Sequence, residues 1–250
     1  MKTLCIFSAY NEIEFLYHKK KFCEYHGLDL YVVDNYSNDG TWEWLQDNKI
    51  PSHRLDTNSS FHLSKLQSEN MKVIHKIKPD WVLYNGADTF PFCTNNVKIS
   101  DVIERHGKKC DIIPLPTLNI RNTGEEWNGS YFNTYYHADL KVREKLLFYK
   151  YTEKYRFIGD DFSGPSMKRF NDPDIDFLQL NYGAAKPEEI QKERFKRRQK
   201  AWAEGLPKGF GSHYILNDDN KYIYNKESCL DIRSRPRFKK ILDSIQTIFD

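Results

Sequence analysis

The chain has 250 residues, and its 38 basic and 35 acidic side chains give a formal net charge of +3. Aromatic residues make up 15% of the sequence, which excludes the disordered and low-complexity classes because such chains are poor in aromatic side chains. A chain of this length can bury a core that needs no disulfide or metal to hold it, and its mild charge does not by itself indicate nucleic-acid binding.

The first 90 residues alternate between short apolar runs and segments with helical spacing. This order favours an α/β fold with a mostly parallel, Rossmann-type sheet flanked by helices. In such sheets a ligand lies at the carboxyl ends of the strands. Strands are predicted at 3–8, 30–33, 53–56 and 81–84, and helices at 12–26, with Gly27 as its cap, at 41–47 and at 64–77.

The second half of the chain has a weaker pattern. It predicts a further strand at 110–114, loops or antiparallel strands at 117–137 and a helix at 188–204. An amphipathic helix is predicted at 237–249. That helix either packs against its own domain or lies on a membrane surface, so a peripheral membrane contact stays open.

Cysteine usage and the apolar runs bear on the compartment. Five cysteines are scattered along the chain, and none lies in a Cys-x-x-Cys motif, which is typical of reduced thiols. The first apolar run is too short for a signal peptide, and no run approaches the 18 apolar residues of a membrane span. We therefore expect a cytoplasmic protein.

Three polar motifs follow predicted strands. Residues 10–12 (Y-N-E) follow the first strand, residues 34–41 (D-N-Y-S-N-D-G-T) the second and residues 86–88 (G-A-D) the fourth. Because the carboxyl ends of parallel strands meet at one edge of a sheet, one crevice can hold all three motifs. The 34–41 segment offers fixed carboxylates and backbone donors to a nucleoside, although the same residues also form ordinary Asx turns and helix caps.

Together these motifs resemble those of the inverting family 2 glycosyltransferases, which have the GT-A fold. That family carries Y-N-E after the first strand, D-[DN]-x-S-x-D-G-T after the second and an apolar strand that ends in D-x-D. The resemblance covers residues 1 to about 92. It implies a nucleotide-sugar donor, with a UDP-sugar favoured, and a glycan or lipid-linked acceptor. It also implies that the nucleotide is bound by Ala9, Tyr10, Glu12, Asp34, Asn35, Ser37 and Asp39.

The resemblance further implies a divalent metal, Mn²⁺ or Mg²⁺, that bridges the diphosphate of the donor. Asp88 would hold this metal with help from His213, which follows a glycine-rich turn. His137 is a weaker candidate, and Asn181 stands where relatives have the His of an H-Y-G step. The chain departs from the family at 86–90, where G-A-D-T-F replaces D-A-D-E-F. One Asp and the following Glu are missing, so metal binding is an expectation that this departure weakens.

An inverting transfer needs a carboxylate that takes the proton of the acceptor hydroxyl. In the family an acidic pair, often G-E-D, lies near the acceptor, and Gly159-Asp160-Asp161 is the matching segment here. We predict Asp161 as the base, with Asp160 as the alternative. The same pair is also suited to cap a helix, and the acidic loop at 172–176 is a weaker alternative for the base.

The basic run at 192–200 has six Lys or Arg in nine residues. Its ordinary interpretation is a solvated helix face, and the alternatives are contact with a diphosphate, with an anionic lipid surface or with nucleic acid. We expect no nucleic-acid partner.

The sequence thus predicts a glycosyltransferase of glycan or surface-polysaccharide synthesis. It would have a nucleotide-sugar-binding half (1–115), an acceptor and catalytic half (116–215) and a C-terminal extension (216–250). Two alternatives are a degenerate glycosyltransferase fold that binds without turnover and a nucleic-acid-associated protein. A nucleotidyltransferase is a third alternative, for which the early part of the chain lacks a phosphate-cradling Gly or Lys motif.

Overall fold

The computed structural model describes residues 1–58, 60, 62–126, 130–139, 143–154, 156–158, 161–163, 167–203 and 229–249. The helices are α1 (Ile13–His26), α2 (Thr41–Asp47), α3 (Leu63–Ile77), α4 (Ile99–His106), α5 (Tyr131–Thr134), α6 (Glu188–Ala203) and α7 (Pro236–Phe249). The strands are β1 (Thr3–Ala9), β2 (Asp29–Asp34), β3 (Ser52–Arg54), β4 (Trp81–Tyr84), β5 (Thr89–Cys93), β6 (Ile112–Arg121), β7 (His137–Ala138), β8 (Arg143–Lys150), β9 (Arg156–Ile158), β10 (Asp161–Ser163), β11 (Phe177–Ala184) and β12 (Leu230–Asp231).

The first four strands form the parallel part of the sheet in the order β4-β1-β2-β3. β1 is buried along nearly its whole length, as expected for a parallel strand covered on both faces. Its side chains alternate between two cores: Cys5 and Phe7 pack in the core shared with α1, and Leu4 and Ile6 pack in the core shared with α3. The predicted cap of α1 is present, since Gly27 has a left-handed φ of 66°.

The second half of the chain extends the same sheet with antiparallel strands. β8 pairs antiparallel with β4 and β6, and β5 pairs antiparallel with β11. β6 pairs parallel with β11, and β7 joins β6 to β12 through antiparallel pairs. The α/β class is therefore confirmed, with a mixed sheet in which β1 to β4 are parallel and β6 with β11 forms one further parallel pair. The predicted boundary between the two halves, at residue 115, falls inside β6 (Ile112–Arg121), and β12 places part of the predicted C-terminal extension (216–250) in the same sheet.

The C-terminal helix α7 packs against its own domain. Ile241 and Ile245 are buried in the main core, and the ring of Phe249 stacks on Phe132 with centroids 4.2 Å apart. Within the described residues, no helix combines the length and the apolar character that a membrane crossing needs. The five cysteines all lie in the described part of the chain and form no disulfide.

Candidate functional site

A cleft of about 330 Å³ opens at the carboxyl ends of β1, β2 and β4. Residues from all three polar motifs line it, and α6 supplies an opposite wall with two arginines. The parallel register explains the meeting of the first two motifs, because Ala9 pairs with Asp34 across β1 and β2. The main motif and α6 residues in the lining are Ala9, Tyr10, Glu12, Asn35, Gly86, Ala87, Asp88, Arg194 and Arg197.

The segment after β2 is a hydrogen-bonded turn built on Asp34. The carboxylate of Asp34 is fully buried and accepts from the Ser37 backbone N–H, at 3.3 Å to each oxygen. Arg54 Nε donates to the same carboxylate at 2.9 Å. Asp34 and Ser37 therefore hold the turn in this structure, and their contact with a nucleotide stays a prediction.

One carboxylate, that of Asp39, links the first two motifs. Its Oδ1 accepts from the N–H of Thr41, the first residue of α2, at 2.9 Å. Its Oδ2 accepts from the N–H of Ile13, the first residue of α1, at 3.2 Å. Side-chain oxygens that accept from the first turn of a helix stabilise that helix. Asp39 thus caps two helices at once and fixes their N-termini beside each other.

Further hydrogen bonds bind the Y-N-E segment to the same turn. Asn11 and Asn38 form a reciprocal pair: Asn11 Nδ2 donates to Asn38 Oδ1 at 2.9 Å, and the Asn38 N–H donates to Asn11 Oδ1 at 3.0 Å. Thr41 Oγ1 accepts from the Glu12 N–H at 3.1 Å. Asn11 has a left-handed φ of 53°, a conformation that Asn tolerates better than most residues. The two motifs occur together because they form one structural unit.

A network of buried charges lies at the inner end of the cleft. Lys186 Nζ donates to Glu12 Oε2 at 2.6 Å and lies 3.0 Å from Glu14 Oε1. Arg194 Nη2 donates to Glu12 Oε1 at 2.7 Å and to Asp88 Oδ2 at 3.1 Å. The network therefore joins the first motif, the third motif and α6.

Burial and charge act in opposite directions on the two carboxyl groups of the cleft. Burial raises the pKa of Glu12 in spite of the nearby cations Lys186 and Arg194. Burial alone would also raise the pKa of Asp88, but Arg194 and Lys186, with hydrogen bonds from Arg194 and Thr89, lower it to about 2. Asp88 is thus a fixed anion at neutral pH.

Two glycines make the room for Asp88. A Cβ at Gly86 would lie 2.6 Å from Asp88 Oδ1, and a Cβ at Gly183 would lie 2.8 Å from Asp88 Oδ2. Atoms this close must shift apart. Gly86 and Gly183 are therefore matched to the present position of the Asp88 carboxylate.

A buried lysine holds the turn that carries Asp88. The side chain of Lys19 is fully buried, its Nζ donates to the Thr89 carbonyl oxygen, and it lies 4.3 Å from the centre of the Phe90 ring. Asn85 Nδ2 donates to the same carbonyl at 3.0 Å. Burial lowers the pKa of Lys19. This support was not predicted, because Lys19 is the first of three consecutive lysines, and nothing in that run marks one of them as buried.

The residues described at Asp88 do not by themselves fit a divalent metal. Among them no group of three or more metal-binding side chains is found. Asp88 Oδ1 accepts from Thr89 Oγ1 at 3.1 Å, and Oδ2 accepts from Arg194. Mn²⁺ and Mg²⁺ prefer several oxygen ligands, and an ion at Asp88 would face a guanidinium of like charge. The predicted ligand His213 lies outside the described residues.

The other predicted site residues are divided between the structure and the part it does not describe. Asp161 begins β10, which pairs with β9, but its side chain is not among the described ones, and Asp160 lies outside them. His137 Nδ1 lies 2.6 Å from Glu125 Oε1, away from the cleft lining. Asn181 lines the cleft, and its Oδ1 accepts from the Gly183 N–H at 2.9 Å.

Sequence reasoning did not single out which cations of the 192–200 run face the cleft. Arg197 covers the ring of Tyr10, with its guanidinium carbon 3.1 Å from the ring centre, a cation–π contact. With the Asn35 amide oxygen turned toward it, Arg197 Nη2 donates to that oxygen at 2.8 Å. Tyr10 OH donates to Glu193 Oε1 at 3.0 Å, and burial raises the pKa of Tyr10. The available signal was the spacing of Arg194 and Arg197, because residues three apart on a helix lie on the same face.

No protein-family model matches the chain, and no curated protein matches it either. Among solved structures, residues 1–349 of S. aureus TarS align at TM-score 0.42 and 13% identity, over 99% of this chain and 90% of that one. The same TarS piece in complex with UDP gives the same values. Its complex with UDP-GlcNAc aligns at TM-score 0.37 and 18% identity, over 53% of this chain and only 38% of that one. At these values the neighbours assign no family to the chain, and its chemistry is inferred from its own residues.

Proposed function

We propose that this chain transfers a sugar from a nucleotide-sugar donor to an acceptor hydroxyl, with inversion at the anomeric carbon. The observation that carries the proposal is the meeting of the Y-N-E, D-N-Y-S-N-D-G-T and G-A-D segments around one cleft at the carboxyl ends of β1, β2 and β4. Ligands of open α/β sheets bind at this edge. The motif resemblance supports a UDP-sugar as donor and a glycan or lipid-linked acceptor.

The transfer is a single displacement. The acceptor oxygen forms a bond to the anomeric carbon while the bond from that carbon to the phosphate oxygen breaks, and its electron pair leaves with the nucleoside diphosphate. The hydroxyl proton passes to a carboxylate, for which we propose Asp161, with Asp160 as the alternative. In this scheme Tyr10 and Asn35 contact the nucleoside, and the charged end of the cleft near Asp88 faces the diphosphate.

The first test is a thermal-shift panel with UDP, GDP, CMP and dTDP, each in EDTA and in MnCl₂. A ligand at 100 times its dissociation constant stabilises by about 2.7 kcal/mol, which is roughly 5–10 °C for a chain of this length. We expect one nucleotide of the panel to give such a shift. If none of the four changes the melting temperature, the proposal is wrong.

Turnover is tested with the sugar conjugate of the nucleotide that the panel selects, by measuring the free nucleotide released. Asp161→Asn should keep the nucleotide shift and lose turnover, whereas Asp47→Asn, which changes an exposed carboxylate at the end of α2, should keep both. Turnover that survives in Asp161→Asn contradicts the assignment of the base.

A binding protein without turnover is the second candidate, and the replacement of the D-x-D by Gly86-Ala87-Asp88 favours it. It predicts the nucleotide shift with no release of free nucleotide from any donor. The nucleic-acid alternative loses support because the 192–200 run does not present one free basic face. Arg194 and Arg197 line the cleft, and Lys200 Nζ donates to the Asn58 carbonyl oxygen.

A further inference from the structure

The charged end of the cleft contains a built-in cation. The guanidinium of Arg194 bridges Glu12 and Asp88 through Nη2, at 2.7 and 3.1 Å, and its Nη1 donates to the Gly183 carbonyl oxygen at 3.0 Å. Arginine stays protonated in proteins. About one fifth of its side chain is exposed (19%), and it lines the cleft. A permanent positive charge therefore lies between the first and third motifs and remains accessible from the cleft.

The backbone around Asp88 is adapted to this arrangement. Gly86 and Gly183 lie on opposite sides of the carboxylate, and a side chain at either would displace it. The Cβ position at Gly183 is also 3.4 Å from Arg194 Nη1. Gly86 and Arg194 are thus two parts of one geometry: position 86 carries no carboxylate, and the site contains a cation.

We propose that Arg194 binds the diphosphate of the donor in the role that a divalent metal would have, so that nucleotide binding needs no metal. The inference rests on the proposed function and specifies how its donor is held. A guanidinium carries a permanent positive charge and donates hydrogen bonds to phosphate oxygens. When the bond to the anomeric carbon breaks, the charge that develops on the leaving diphosphate stays beside Arg194, and Arg194 gains or loses no proton. Arg197, one turn further along α6, is the second cation of the cleft wall.

The test compares a ligand that has the diphosphate with one that lacks it. Wild-type protein is titrated calorimetrically with UDP and with uridine, each in EDTA and in MnCl₂; if the panel selects GDP, GDP and guanosine replace them. We expect the UDP affinity to be the same in EDTA and in MnCl₂. In Arg194→Gln the UDP affinity should fall at least about tenfold, the usual effect of losing a charged hydrogen-bond donor, and the uridine affinity should change little.

Lys196→Gln is the matched control, because it removes the same charge from an exposed position on the same helix. It should bind UDP as the wild type does. Arg194→Gln leaves Asp88 without its arginine, so the double variant Asp88→Asn with Arg194→Gln is titrated as well. Removing both members of the pair leaves no unpaired charge at Asp88, and this variant should still bind uridine normally and UDP weakly, with or without Mn²⁺.

Two results would overturn the inference and leave the proposed function intact. One is wild-type binding of UDP that requires Mn²⁺. The other is an unchanged ratio of UDP to uridine affinity in both Arg194 variants. Absence of any nucleotide binding by the wild type would instead remove the proposed function, and the inference with it.

Discussion

Asp39 should contribute far more to stability than its exposed position suggests. Its two oxygens accept from the first backbone N–H groups of α1 and α2, at 3.2 and 2.9 Å. Replacing a capping residue by Ala costs about 1 kcal/mol per helix, and loss of a negative charge near each N-terminus adds a few tenths. For Asp39→Ala the expected loss in the free energy of unfolding is therefore about 2–3 kcal/mol.

The measurement is urea denaturation of the wild type and Asp39→Ala, in which the midpoint and the slope of the transition are compared. Thermal denaturation of the same two proteins gives the melting temperatures. For a chain of this length, a loss of 2–3 kcal/mol lowers the melting temperature by roughly 4–12 °C. Asp39→Asn keeps one acceptor oxygen and should lose about half as much. Asp47→Ala removes an exposed carboxylate from the last residue of α2 and should stay within about 0.5 kcal/mol of the wild type.

Equal stability of Asp39→Ala and Asp47→Ala would refute the reasoning, because the double cap would then contribute nothing beyond a surface charge. A ligand readout extends the test. Loss of the cap lets the Y-N-E segment move relative to the turn after β2, so Asp39→Ala should also weaken nucleotide binding.

Two further predictions concern packing and pH. Burial lowers the pKa of His26 to about 3, and its Nδ1 accepts from the Ile99 N–H at 3.2 Å. In the unfolded chain His26 has a pKa near 6.5, so there it binds a proton that the folded state excludes. The free energy of unfolding should therefore fall as the pH is lowered from about 6.5 toward 3. His26→Gln should flatten that dependence in urea melts at pH 7, 6, 5 and 4, and equal slopes would count against it. Gly183→Ala places a Cβ 2.8 Å from Asp88 Oδ2 and should cost about 1–3 kcal/mol through overpacking, with weaker UDP binding; an unchanged urea midpoint would show that the carboxylate can move freely.

The parallel half of the fold could be predicted because its signals are local. Strands β1, β2 and β4 are short apolar runs that end in polar turns, and α1 to α3 have near-helical apolar spacing. Their boundaries lie within a few residues of the predicted ones, as do those of the weaker strand β3 (Ser52–Arg54). β5 was missed because Thr89–Cys93 is short and contains a Pro, and only its pairing with β11 makes it a strand. The start of β6 was predicted as a strand at 110–114. The antiparallel pairings of the second half depend on partners distant in the chain, which no local pattern specifies.

The candidate site divides in the same way. The sequence indicated that the three motifs meet at one edge, since strand order and polarity determine that. It did not indicate that the carboxylate of Asp34 holds the turn or that the carboxylate of Asp39 caps two helices. The sequence alone does not distinguish an Asp that accepts hydrogen bonds from the backbone from an Asp that contacts a ligand. Nor did it show which side of α6 faces the cleft, because α6 carries charge all round and its orientation depends on contacts with Tyr10, Glu12 and Asp88.

The close approach of Gly86 to Asp88 also constrains how such a site can change in evolution. A Gly86→Asp substitution would place a Cβ 2.6 Å from Asp88 Oδ1, so that the Asp88 carboxylate would have to shift. The new carboxylate would also lie in a network arranged around Arg194. We therefore expect the effects of substitutions at positions 86 and 194 to depend on each other. Related chains should therefore carry either an acid at 86 without the arginine or a glycine at 86 with it, and intermediates that mix the two should be rare.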